Sequence, residues 1–148
     1  MTQEEKNLLL KDICSRLPYG VKAYVKNWSN LERRWIEGIY TVRAVYPSLN
    51  NIVVSSELGS VEVILGYSDY FIKPYLFPMS SMTEEQKKEY NLLRDFVPTY
   101  HYEYGDIVED IELCDNWGSI DYLIANHFDY RELIPKGLAL NASGLNIY

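Results

Sequence analysis

Ile72–Tyr90, IKPYLFPMSSMTEEQKKEY, joins a strand-like half of the chain to a helix-like half. Pro74 and Pro78 lack amide hydrogens and push the residues before them toward extended conformations. Lys73 to Met79 is therefore expected to run extended without continuing a sheet interior. Thr83-Glu84-Glu85-Gln86 then reads as a capping box. The threonine hydroxyl accepts from the amide of Gln86, and the glutamine side chain reaches back to the amide of Thr83. Glu84 and Glu85 suit the positive end of a helix dipole, and Glu84 and Lys88 are spaced i,i+4. Tyr90, Leu93 and Val97 mark one apolar face, flanked by Leu92 and Phe96, and Pro98 closes the helix.

Upstream, Thr2-Gln3-Glu4-Glu5 is a second capping box. The helix it opens carries an apolar stripe of Leu9, Leu10, Ile13, Cys14 and Leu17, and Pro18 and Gly20 stop it. Val21, Ala23 and Val25 alternate with Lys22, Tyr24 and Lys26, the period of a half-buried strand. Asn27–Asn30 reads as a turn. Trp35–Tyr46 is rich in β-formers, Pro47–Asn51 is a turn, and Ile52–Ser55 and Val61–Tyr67 are further strands joined through Glu57–Ser60. Four such strands predict a small, strongly bent antiparallel sheet or an SH3-like barrel.

Downstream, Thr99–Gly105 (TYHYEYG) reads as an edge strand with Tyr100, Tyr102 and Tyr104 on one face. Asp106–Asp115 reads as a helix or an intermittently packed loop. Asp115 or Asn116 can cap a helix whose Trp117, Ile120, Leu123, Ile124 and Phe128 fall at helical spacing. Asp129 with Glu132 suits a third capping box, and Gly137–Ala142 a last short strand. The fold expected is α+β, one domain over residues 1–148, with a strand-rich half at 19–72 and a helix-rich half at 83–135.

The runs KPYLFPMSSMTEEQKKEY (Lys73–Tyr90) and HFDYRELIPKGLAL (His127–Leu140) resemble a family of short uncharacterised proteins from gut Bacteroidales bacteria and their phages. The resemblance is clearest from residue 72 onward and weaker before it. It implies a phage or mobile-element context and an intracellular setting, and it carries no activity. Family members often read HFDYRGLI, so Glu132 stands here in place of a glycine.

Composition supports a folded protein: of 148 residues, 47% are apolar and 24% charged. Tyrosine is the oddity, at 14 residues against 4 Phe and 3 Trp, and suits half-buried or interface positions. No run approaches the roughly 18 apolar residues a membrane span needs. MTQEEKNLLLKD places acids before its short apolar run, unlike a signal peptide. Cys14 and Cys114 stand alone and are expected as reduced, buried thiols in the cytoplasm.

Charge divides the chain. Residues 1–82 hold nine Lys/Arg and eight Asp/Glu, whereas residues 83–148 hold five and thirteen. Asp95 to Tyr130 contains nine carboxylates and no Lys or Arg. Such a segment repels nucleic acid and attracts a basic protein surface.

No catalytic motif emerges. His101-x-Glu103 lacks the Pro-Cys-x-x-Cys partner of a zinc deaminase. The acidic run does not fit the EF-hand spacing, with its glycine at the sixth position. Cys14 or Cys114 with His127 makes a nucleophilic triad only on paper. No cofactor, metal site or catalytic residue is expected. The function expected is a non-enzymatic interaction module. Its first candidate surface is acidic and tyrosine-rich: Tyr102, Tyr104, Asp106, Glu109, Asp110, Glu112 and Asp115, facing a basic partner protein. The alternative is single-stranded nucleic-acid binding by the strand half, where Lys22, Tyr24, Lys26, Trp28, Arg33, Arg34 and Trp35 interleave cations with aromatics.

Overall fold

The computed structural model describes residues 1–29, 34–56, 59–65, 71–94, 98–103, 106–111 and 117–148. Helix α1 (Gln3–Arg16) opens on the expected capping box: the Glu5 amide donates to Thr2 Oγ1 at 3.1 Å, and the Thr2 amide donates to Glu5 Oε2 at 2.6 Å. A 3-10 turn follows, and Gly20 ends it in the left-handed region at φ 73°, where a side chain would be strained.

Strands β1 (Lys22–Ser29), β2 (Arg34–Tyr46), β3 (Asn51–Ser56), β4 (Gly59–Ile64), β5 (Phe71–Leu76) and β8 (Leu140–Asn141) form one open sheet in the order β4-β3-β2-β1-β5-β8. Every pairing is antiparallel except β5 with β8. The sheet is bent as expected but does not close into a barrel. The β2–β3 register slips between Val42 and Ala44, so Arg43 is an extra residue that sharpens the local twist. The bend carries β1 toward β4: Asn27 Nδ2 donates to the Glu62 carbonyl at 2.6 Å although β2 and β3 lie between them in the sheet order.

That bond explains why β1 continues through Asn27 to Ser29, where a turn was expected to begin; Asn30 lies outside the described residues. Asparagine favours turns when its amide has no better partner. Here the amide is buried against a carbonyl. The proline reading of Lys73–Met79 also fails, because β5 lies inside the sheet. Pro74 pairs with Ala23 on the β1 side, and β8 pairs only Tyr75 and Leu76 on the other. No ladder bond therefore asks Pro74 for the hydrogen it lacks.

One sheet face packs on α1. Leu9, Leu10 and Ile13 meet Val21, Ala23, Val25, Val42, Ile52, Val54, Val63, Leu65 and Ile72 in the main core. Cys14, expected buried, is half-buried and free. Inside the same helix Asp12 and Arg16 form an ion pair at 2.7 Å, fully buried on both sides. Burial of a charge pair is tolerable only when its remaining donors are satisfied. Arg16 meets that need by donating to the Phe128 carbonyl at 2.8 Å and the Ile124 carbonyl at 3.4 Å, which ties α1 to the distant end of the chain.

Helix α2 (Glu84–Arg94) opens on its capping box, with Gln86 N to Thr83 Oγ1 at 3.2 Å and Thr83 N to Gln86 Oε1 at 2.9 Å. Its ion pair is Glu84 with Lys87, at 2.7 Å, one residue short of the i,i+4 pairing expected with Lys88. Leu92 is exposed, and Phe96 and Val97 lie outside the described residues. The described helix ends at Arg94, and Pro98, expected to close it, begins the next strand.

Strands β6 (Pro98–Glu103) and β7 (Asp106–Ile111) form a separate antiparallel ribbon. The edge strand was legible; the helix or loop expected from Asp106 is a strand over the described part of that run. Ile107, Glu109 and Ile111 alternate with Asp106, Val108 and Asp110, which is a strand period once a partner is present.

Helix α3 (Trp117–Ala125) buries Leu123 and Ile124, but Trp117 is 90% exposed and not part of the apolar face. No third capping box forms at Asp129. Its carboxylate instead accepts from the amides of Leu133 at 2.7 Å and Ile134 at 2.8 Å, and residues 130–137 form successive turns. Glu132 takes φ 59°, the left-handed region that a glycine enters without strain.

Candidate functional site

Alternation along β1 turns Lys22, Tyr24, Lys26 and Trp28 away from the core that Ala23 and Val25 enter. The β1–β2 register sets Trp35 opposite Trp28, Glu37 opposite Lys26, Ile39 opposite Tyr24 and Thr41 opposite Lys22. On the other side of β1, Phe71 pairs with Lys26 and Lys73 with Tyr24. Cross-strand partners share a face. Three neighbouring strands thus present one outer surface of aromatics and cations.

The geometry of that surface is well defined. Trp28 and Trp35 meet edge to face with centroids 5.9 Å apart, and Tyr24 lies against Phe71 at 5.6 Å. Lys73 Nζ stands 6.0 Å from the Phe71 ring centroid. Relative exposures of 44% for Trp35, 50% for Ile39 and 36% for Phe71 leave large apolar area in water on a single face. Lys22 Nζ donates to Thr41 Oγ1 at 2.8 Å, and Arg43 Nε donates to Ser55 Oγ at 2.7 Å, so two cations are held along the surface.

Glu37 is the opposing charge. It accepts a hydrogen bond from the Tyr24 hydroxyl and lies 3.9 Å from Lys26 Nζ. The bond to Glu37 pushes the Tyr24 phenol up to about 12, so it stays a neutral donor at physiological pH.

Among the residues expected to bind nucleic acid, Lys22, Tyr24, Lys26, Trp28 and Trp35 share this surface. Arg34 opens β2, and Arg33 lies outside the described residues. Sequence reasoning missed Phe71, Lys73 and Ile39. The alternation Phe71-Ile72-Lys73 was the available signal, and the two prolines after it masked the strand.

Of the acidic candidate surface, the Tyr102, Asp106, Glu109 and Asp110 positions lie in the β6–β7 ribbon. Tyr104, Glu112 and Asp115 lie outside the described residues. The ribbon register pairs Tyr102 with Ile107 and Tyr100 with Glu109, while Asp106 pairs with Glu103 and Asp110 with Thr99. Strand alternation thus assigns the Tyr102 and Glu109 positions to one side of the ribbon and the Asp106 and Asp110 positions to the other.

A second feature lies where α2 and α3 approach β5. A cleft of ≈ 510 Å³ is walled by Phe77, Phe128, His127 and Tyr148, with Gln86 and Asn126 among its polar lining. The His127 and Tyr148 rings stack at 3.8 Å with planes 14° apart. Tyr148 is held by two backbone bonds, donating to the Tyr75 carbonyl at 2.7 Å and accepting from the Lys22 amide at 3.2 Å. Burial pushes its phenol up to about 12.

His127 is only 6% exposed and takes φ 58°. Burial, with the Arg16 charge nearby, lowers its imidazole to about 4, and a backbone hydrogen bond with Tyr19 partly opposes the shift. Its Nδ1 has no hydrogen-bond partner.

Among the described residues no group of three or more His, Cys, Asp or Glu side chains gathers as a metal site, and no helix is long and apolar enough to cross a membrane. No protein-family model, curated protein or solved structure matches the chain.

Proposed function

We propose that the chain is a binding module, without a catalytic step, whose outer sheet face takes single-stranded nucleic acid. The observation that carries this reading is the placement of exposed Trp35 and Phe71 and half-buried Trp28 and Tyr24 beside Lys22, Lys26, Lys73 and Arg43 on one surface. Bases stack on aromatic rings irrespective of sequence, at about 1–3 kcal/mol per base, while cations follow the phosphates. The formal charge of −7 opposes a polyanion at long range. With a Debye length of about 8 Å at physiological salt, the local surface decides binding. The resemblance to phage-associated proteins and the free Cys14 suit a cytoplasmic setting.

The test is fluorescence anisotropy of a labelled oligothymidylate across a salt series. Binding at low salt should weaken with a log–log slope of about −2 to −3, given about −0.7 per phosphate neutralised. Replacing Trp28 and Trp35 by alanine should weaken it at least about tenfold. Absence of binding at low salt ends the proposal.

A second reading keeps the acidic segment as a dock for a basic protein. It is favoured by the nine carboxylates, unaccompanied by Lys or Arg, between Asp95 and Tyr130. Substituting Glu109, Asp110 and Glu112 by lysine should then abolish capture of that partner while the fold survives. Persistent capture means that the acids are merely solvated.

A further inference from the structure

We infer that the cleft between Phe77 and Tyr148 binds an uncharged, planar heteroaromatic ring carrying N–H donors, of the nucleobase kind. Its volume of ≈ 510 Å³ falls within the roughly 300–1,000 Å³ usual for small-molecule sites. Its walls are mostly rings, and the parallel His127–Tyr148 pair shows that flat groups stack there at 3.8 Å. Among the described residues no Lys, Arg, Asp or Glu lines it, which disfavours a phosphate or a carboxylate as the recognised group.

The polar lining offers an acceptor and a donor. His127 Nδ1, in the cleft wall, is buried and has no partner. Such a group costs about 1–3 kcal/mol when left unmatched. Asn126 Nδ2 donates to the Tyr122 carbonyl at 2.9 Å, leaving its Oδ1 to accept. Gln86 Oε1 accepts from Thr83 N, leaving its Nε2 to donate. The Asn126 acceptor and the Gln86 donor, beside ring-lined walls, match the edge of a base. This site is separate from the outer sheet face and does not depend on the reading of that face.

The experiment titrates adenine and uracil, with N,N′-dimethyluracil as the ring without N–H donors, and follows the His127 ring protons by NMR. Ala125 lines the cleft, and Ala125→Leu fills it. The expected result is a saturable His127 shift with adenine or uracil, weakened at least tenfold by dimethylation and by Ala125→Leu. Should Ala125→Leu misfold, Gln86→Ala removes the donor at a surface position and should weaken binding several-fold. No saturable shift with either base, equal binding of the dimethyl compound, or unchanged binding in a folded Ala125→Leu or in Gln86→Ala would each overturn the inference. The Trp28→Ala/Trp35→Ala chain separates the two sites: it should lose the oligonucleotide and retain the base.

Discussion

Along residues 21–28 two surfaces alternate with every residue. Val21, Ala23 and Val25 are sealed against α1, whereas Lys22, Tyr24, Lys26 and Trp28 stand half-buried on the opposite face. The backbone is common to both, so strand formation explains neither. The inner set is apolar and small, and its removal from water stabilises the fold at roughly 25 cal/mol per Å². The outer set is large, aromatic and cationic, and, being only half-buried, it yields less for its size. Residues that contribute less to stability for their size yet form one continuous surface are better explained by something that binds there.

This contrast can be broken by mutation. The largest effect should come from Arg16→Ala, which leaves buried Asp12 only its longer contact with Arg131, at 3.4 Å, and releases two carbonyls. It should destabilise by about 3–5 kcal/mol, measured by urea unfolding. Isoleucines on opposite faces give the next test. Ile52→Ala, at a fully buried position, should cost about 2–5 kcal/mol, whereas Ile39→Ala on the outer face should stay within about 0.5 kcal/mol. Equal costs would mean that the outer face is covered in the folded protein.

His127 sharpens the contrast through pH. Its folded value of about 4 lies below the ordinary 6.5, so between these values the unfolded chain holds a proton that the folded chain lacks. Stability from this group is fully present above about 6.5 and falls as pH drops toward 4. His127→Asn, which tolerates the left-handed backbone, should flatten that window in pH-dependent unfolding. A smaller effect is expected at Glu132. Glycine relieves the φ 59° backbone but loosens the unfolded chain and removes an exposed ion pair with Lys136. Glu132→Gly should raise stability by roughly 0.5 kcal/mol, and Glu132→Val should lower it.

Where local chemistry decided the structure, the sequence was readable. Both capping boxes, the alternation of β1 and the α+β order follow from short-range patterns. Reading failed where a distant partner overrode a local preference. Asn27 looked like a turn residue because its bond to Glu62 depends on the bend of the sheet. Pro74 looked like a strand breaker because nothing local reveals that its neighbours request no hydrogen. Nothing local marks Asp12 and Arg16 as a buried pair beyond their i,i+4 spacing, because the carbonyls that Arg16 meets come from residues 124 and 128. Half of the outer face was legible as interleaved Lys and aromatics in β1. Phe71 and Lys73 joined it only once β5 paired with β1. The His127–Tyr148 cleft had no sequence signal, since its walls come from separate segments that only folding assembles.

The most direct measurement follows the three tryptophan indole N–H signals by NMR while an oligothymidylate is added at low salt. Trp28 and Trp35 stand on the outer sheet face; Trp117 is exposed on α3 and serves as an internal control. The account predicts that the Trp28 and Trp35 signals shift saturably and that Trp117 does not move. A response confined to Trp117, or no response from any of the three, would contradict it.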